Sequence, residues 1–263
     1  MLKPTSQKVL FLVSAFNGLS QAVYAQLGPS FGQVALQVGI DVAAIQAYQP
    51  DLILCPFLQD YLPPEIYEQY PALILHPGPA NLGGPSSLAR AILRGESAFG
   101  ISLIQAAAGW DKGPLWAERE LILEPGSLAK NYRNLVLPQA SGLFLCGMER
   151  MLAGEQPLAR AAYSYEPRLK DAELAFAWED PASEIIKKIW AGDNQPGASA
   201  NFQGQDCRFF AAWEAMGEGE PGQVLDSNQG NLQIACAEGS LWVGRIQVTA
   251  GCKNRAANLA EAS

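Results

Sequence analysis

Three short runs constrain the fold of this chain more than any other feature: "KVLFLVSAF" from Lys8, "PDLILCPF" from Pro50 and "ALILHP" from Ala72. Each is a nearly continuous apolar stretch of strand length, bounded by residues such as Asn17-Gly18 that favour turns. A strand with apolar side chains on both faces must be covered on both, which is the environment of a parallel sheet between two layers of helices. Helical patterns fill the gaps. One begins near Ser20, which can cap it; a short one lies in "LPPEIYEQYP"; a third is "SSLARAILRGE", capped by Ser86 or Ser87. Strands alternating with helices predict an α/β fold, a doubly wound, Rossmann-like domain with a parallel-rich sheet. "FGISLIQAA" and "GPLWAERELIL" read as two more strands around a loop at Gly109 to Gly113, and "SLAKNYRNLVLPQASGLFLCGMERMLAG" as a long helical stretch interrupted around Pro138.

After Gly154 the texture changes. "EQPLARAAYSYEPRLKDAELAFAWEDP" has the look of a linker, "ASEIIKKIWAG" is an amphipathic helix, and "DCRFFAAWEA", "GQVLDSN" and "NLQIACAEGSLWVGRIQV" are short strands punctuated by glycine. The expected organisation is therefore an α/β domain over 1–155, a linker over 156–175, a small β-barrel or meander over 176–249 and a tail over 250–263.

Composition narrows the function. With 263 residues, 49% of them hydrophobic and 17% charged, the chain has material for folded domains rather than extended disorder. A net charge of −8 repels phosphate polymers, and the basic residues Arg90, Arg94, Lys112, Arg119, Lys130 and Arg133 are dispersed, so a nucleic-acid partner is not expected. The five cysteines, an odd number with no CxxC spacing, argue against a disulfide framework or a structural zinc site and suit a reducing cytoplasm. Lys3 and Lys8 ahead of an apolar run imitate a signal peptide, but the run is short and reads as the first buried strand. No segment reaches the ~20 apolar residues that a membrane span requires, so no membrane partner is expected.

The only histidine, His76, stands at the end of the third strand and opens the loop "PGPANLGGPSS". In open α/β sheets ligands sit outside the carboxyl ends of the strands. His76 reads either as a satisfied structural imidazole or as a catalyst placed at that rim. A catalytic histidine commonly has a carboxylate partner, and Asp111 in "AAAGWDKGP" is the best candidate, although aspartate before Lys-Gly is also ordinary turn chemistry. With no GxSxG elbow, no HExxH and no paired ligand motif, no metal is expected; a His/Asp pair on such a sheet suggests acyl-type transfer.

The strand ending "LILHPG" followed by "WDKGP" resembles the superfamily of formyltransferases that use N10-formyltetrahydrofolate, over about Lys8 to Gly154. Within it, "FLVSAFNGLSQAVY", "GPSSLARAIL", "SLIQAAAGWDKGPLWA" and "DNQPGA" are similar to the N-terminal part of the HypX (HoxX) hydrogenase-maturation proteins. The resemblance implies a Rossmann-like formyltransferase domain followed by an OB-like barrel. It also implies formyl transfer from N10-formyltetrahydrofolate to a thiol, that of coenzyme A, as the first half of CO-ligand synthesis for nickel-iron hydrogenase. The crotonase-like half that releases CO lies outside this sequence, and the partners implied are a separate crotonase-like protein or the hydrogenase-maturation machinery. Water or a small amine is the alternative acceptor, and a non-catalytic folate-binding maturation protein the alternative role.

By the resemblance His76 polarises the formyl oxygen or relays a proton, and Asp111 orients it. Phe57, Leu58, Leu62, Ala107 and Ala108 would line the pterin pocket, while Gln21, Arg133, Asn194 and Gln195 are substrate-side candidates, Arg133 reading equally as a solvated helix charge. Most folate formyltransferases place an asparagine two positions before the histidine, as an oxyanion donor typically worth ~2.7–4 kcal/mol. This chain has Ile74 there, as HypX proteins similarly lack the asparagine, so a backbone amide of Gly83 or Gly84 or the side chain of Asn17 is expected to substitute.

Overall fold

The computed structural model describes residues 5–193, 195–249 and 253–255. The chain divides into two compact units that interleave along the sequence. The first takes the chain through Ser87, then Ala98–Ile122 and Arg133–Pro167; the second takes Leu88–Ser97, Leu123–Tyr132 and the chain from Arg168 onward.

In order, the first elements are β1 (Thr5–Val13), α1 (Gly18–Leu27), β2 (Phe31–Val38), α2 (Val42–Tyr48), β3 (Leu52–Cys55), α3 (Pro64–Tyr67), β4 (Ala72–His76), β5 (Leu82–Gly83) and α4 (Ser87–Arg94). There follow β6 (Ala98–Gln105), β7 (Leu115–Ile122), α5 (Leu128–Asn131), α6 (Leu137–Leu152) and β8 (Ser164–Tyr165). A wide helical turn at Tyr132–Val136 joins α5 to α6, and Pro138 sits in the first turn of α6, where its missing N–H is tolerated. The N-cap of α1 is Asn17 rather than Ser20: the Asn17 side chain accepts the Ser20 amide at 3.0 Å.

Sheet order in the first unit is β2-β1-β3-β4-β6-β7. The first four strands are mutually parallel, and β6 and β7 are antiparallel to their neighbours. The three apolar runs become β1, β3 and β4, the central strands, as their two-sided burial demands. On one face Leu10, Leu12, Ile53 and Cys55 pack with Ile45 of α2, and with Leu62 and Ile66. α1 and α6 pack together and cover the other face, where Gly147 of α6 lets the helix approach Leu103 and Trp116. At Gly147 a Cβ would fall 2.4 Å from Leu103.

The second unit holds α7 (Ala182–Ala191), β9 (Ala198–Phe202), β10 (Gln205–Ala215), β11 (Val224–Asn228), β12 (Asn231–Ala235), β13 (Ser240–Val248) and β14 (Lys253–Arg255). These strands form an antiparallel sheet of order β11-β12-β13-β10-β9, with β14 on β13 and α7 packed on β10. Its core is an aromatic cluster in which Phe209 and Trp178 meet edge to face at 5.3 Å, joined by Phe176 and Phe202. The tail expected from 250 lies outside the described residues, apart from β14.

Candidate functional site

His76 ends β4 and is only 4% exposed, held by a loop that folds over it. Its Nε2 lies 2.6 Å from the carbonyl oxygen of Leu82. A carbonyl can only accept, so Nε2 carries the proton and Nδ1 is the free base of the neutral ring. Nδ1 faces Asp111 Oδ2 at 3.6 Å, ion-pair distance but longer than a hydrogen bond. Gly78, two residues past the histidine, is packed against the ring so tightly that a Cβ there would fall 2.3 Å from Nε2.

Asp111 reaches this place by a route that a parallel sheet does not provide. Because β6 runs antiparallel to β4, His76 pairs with Ser102, whereas Gln105, at the end of β6, pairs with Leu73 near the start of β4. The loop carrying Asp111 therefore leaves from the opposite end of the sheet and must double back along it to bring the carboxylate to His76. Asp111 itself turns the loop, with φ +51°. That left-handed conformation costs a non-glycine residue of the order of 1–3 kcal/mol and persists only where surrounding contacts enforce it. One such contact is the Gly84 amide, which donates to Asp111 Oδ2 at 2.9 Å.

The glycines of "NLGGPSS" have a purpose that a ligand-cradling reading does not give them. Residues 158–166, within the stretch expected to be a linker, are stitched onto the first unit as a strap. Leu158 donates to Leu115 O, Ser164 to Asn81 O and Glu166 to Gly83 O, at 2.8, 2.8 and 2.7 Å, and β8 pairs with β5. A Cβ on Gly83 would meet the Tyr163 hydroxyl at 2.3 Å, and one on Gly84, at φ +112°, would meet Glu166 O at 2.0 Å. The Gly-Gly pair admits the strap. With its amide engaged by Asp111, Gly84 is not free to serve as an oxyanion donor in this arrangement.

Beside the pair is a cavity of about 40 Å³ whose walls include Leu58, Leu62, Ile74, Ala107, Trp110 and Asp111. Phe57 and Ala108 are not among its walls: the Phe57 carbonyl accepts the Ser14 amide, and Ala108 is exposed. Tyr61 also lines it, its hydroxyl accepting the Gly109 amide at 3.2 Å and its ring 5.3 Å from that of Trp110. The Asn17 side-chain oxygen caps α1, leaving Nδ2 as its donor, and the exposed Gln21 bonds Phe16 O. Arg133 is exposed in the wide turn before α6. Gln195 is exposed in the second unit, and Asn194 lies outside the described residues.

Sequence reasoning missed Arg160, Tyr163, Tyr61 and Trp110. Arg160 Nη1 donates to Gly113 O and Nη2 to Asp111 O, both at 2.7 Å, and Nη2 also bonds Ala80 O. The Tyr163 hydroxyl donates to Trp110 O at 2.7 Å. The available signal was the alternation in "LARAAYSY", which marks extended backbone rather than free linker.

Burial, more than anything else, pulls the His76 pKa below 6.5; the Asp111 carboxylate and the Leu82 carbonyl pull upward, and the Arg160 charge adds to the lowering. The unfolded chain keeps the ordinary value, so between the two it binds more protons than the folded chain, and stability falls as pH drops below about 6.5. As the only histidine, His76 gives one imidazole signal in a proton NMR titration, and its midpoint is expected below 6.5. A midpoint above that value would mean that the carboxylate outweighs burial.

This fold is the one found in formyltransferases. Residues 168–262 match the family described as formyl transferase, C-terminal domain. Beyond that match, the likeness to HypX and HoxX spans both units. The structure of HypX from Aquifex aeolicus in complex with tetrahydrofolic acid superposes with a TM-score of 0.91 and 30% identity, over 97% of this chain and 47% of that one. The hydrogenase maturation factor HoxX of Bradyrhizobium diazoefficiens is 28% identical over 252 residues, 91% of this chain and 44% of its own length. Methionyl-tRNA formyltransferase of Methylibium petroleiphilum is 31% identical over 175 residues, 64% of this chain and 54% of that protein. The chain thus spans about half the length of the relatives it matches. Among the described residues no helix is long and apolar enough to cross a membrane.

Proposed function

We propose that this chain moves a formyl group from N10-formyltetrahydrofolate to the thiol of coenzyme A, as the first half of CO-ligand synthesis in hydrogenase maturation. The observation that carries the reading is the buried His76, with Nδ1 unprotonated and opposed at 3.6 Å by Asp111, which itself lines the neighbouring cavity. The likeness to a tetrahydrofolate-bound HypX along 97% of the chain supports the choice of donor. The free cysteines Cys55, Cys146, Cys207 and Cys236 suit a reducing cytoplasm.

In this reading His76 Nδ1 accepts the proton of the attacking thiol, and the imidazolium so formed is stabilised by Asp111. The proton then passes to the departing nitrogen of the folate, returning the ring to its neutral state. The Leu82 carbonyl fixes the ring so that Nδ1, not Nε2, does this work. Ile74 cannot donate to the developing oxyanion, the Gly84 amide is engaged by Asp111 and the Gly83 amide by the pairing of β5 with β8, so of the expected donors Asn17 Nδ2 is left for that role. A cavity of 40 Å³ is smaller than the ~150 Å³ known to hold a benzene, so a pterin enters only as its walls, Tyr61 and Trp110 among them, rearrange.

The test is to mix the protein with N10-formyltetrahydrofolate, with and without coenzyme A, and follow tetrahydrofolate. Release that requires coenzyme A is the expected result. Equal release without it would identify water as acceptor, and saturable folate binding with no product would identify a binding protein; either overturns the proposal.

A further inference from the structure

We propose that Arg160 is a positioning residue of the site, holding Asp111 in the left-handed conformation that turns its carboxylate toward His76. The inference rests on the reading of His76 and Asp111 as the reacting pair. Three observations converge on it.

The first is what the guanidinium touches. Nη2 bonds both Asp111 O and Ala80 O, and Nη1 bonds Gly113 O. Asp111 and Gly113 belong to the loop that doubles back from β6, whereas Ala80 belongs to the loop that leaves His76. One planar group therefore ties together two loops that start from opposite ends of the sheet. The second is what needs holding: Asp111, at φ +51°, is in a left-handed conformation that is costly for a residue other than glycine and persists where surrounding contacts enforce it. The Gly84 amide restrains its side chain, and Arg160 restrains its carbonyl. The third is how Arg160 is itself held. Its strap is bonded at Leu158 on one side and Ser164 on the other, and the guanidinium carbon lies 5.7 Å from the Tyr163 ring. Its Nε is buried with no partner, so the two terminal nitrogens make all the bonds described. A lysine ammonium has neither this reach nor this fork.

Arg160→Ala and Arg160→Lys test the role through two independent readouts. In the formyl-transfer assay kcat is expected to fall about 100-fold in Arg160→Ala and about tenfold in Arg160→Lys, with the KM for folate within about twofold of the parent. In the NMR titration the His76 midpoint is expected to move down in both variants, because the Asp111 carboxylate, which raises it more than Arg160 lowers it, is no longer held opposite the ring. Loss of a merely neighbouring positive charge would move the midpoint up in Arg160→Ala and leave it in place in Arg160→Lys. Either of those results, or a kcat within twofold of the parent in Arg160→Lys, overturns the proposal. The titration needs no formyl donor, so it decides the role of Arg160 even if the parent proves to transfer no formyl group. Arg160→Lys keeps the test open should Arg160→Ala not fold.

Discussion

Asp111→Asn is expected to slow formyl transfer by about 10²–10⁴-fold while changing folate affinity by no more than about threefold. Asparagine has the shape of aspartate and tolerates a left-handed backbone, so the turn at φ +51° survives the change. Its side-chain oxygen can still accept the Gly84 amide, as Oδ2 does at 2.9 Å. What disappears is the negative charge facing Nδ1 at 3.6 Å. In a site this buried an imidazolium without that charge is costly, so proton uptake from the thiol becomes unfavourable. The His76 midpoint should therefore fall further below 6.5 in the variant, the direction opposite to the upward pull of the carboxylate. Stopped-flow turnover, folate titration and the imidazole signal together separate this from unfolding, which would change all three. An unaltered rate would exclude Asp111 from the chemistry.

The sequence displayed the centre of the fold more clearly than its edges, for physical reasons. β3, most of β4 and the second half of β1 are buried on both faces and so read as runs of apolar residues. β2 is an edge strand with much of its surface exposed, and "FGQVALQV" carries no such run. Strand direction was less legible still. "FGISLIQAA" reads the same whether β6 lies parallel or antiparallel to β4, yet that choice decides from which end of the sheet the Asp111 loop departs. His76 was legible because it is the only histidine, and Asp111 because its glycine-flanked loop follows a strand and carries "WDKGP". Arg160 was not, since an arginine in a polar stretch differs from a solvated one only through the carbonyls it meets in three dimensions. The Gly83-Gly84 pair shows the same limit: glycine reports that something approaches closely, and here the visitor is the chain's own strap.

Gly78→Ala is expected to cost as much activity as loss of the imidazole itself, about 10²–10⁴-fold, although it removes no functional group. The added methyl would stand 2.3 Å from His76 Nε2 and about 3.0 Å from Cδ2, so the ring or the backbone must move. The backbone is tied, because the buried Ser102 hydroxyl donates to Gly78 O at 2.9 Å. The ring is the softer element, and displacing it breaks its bond to Leu82 O, which selects Nδ1 as the base, and its alignment with Asp111. Overpacking of this kind typically destabilises a fold by 1–3 kcal/mol, so the variant should still be folded at room temperature and show a lowered melting temperature. A ring pushed toward water should also titrate nearer 6.5, since burial is the main cause of its lowered pKa. Gly142→Ala in α6 supplies the control: a Cβ there meets nothing within 4 Å, and the same substitution should leave turnover unchanged and raise stability slightly. If Gly78→Ala turned over like Gly142→Ala, the ring would have to work equally well elsewhere, and the position of His76 against Leu82 and Asp111 could not be what sets the rate.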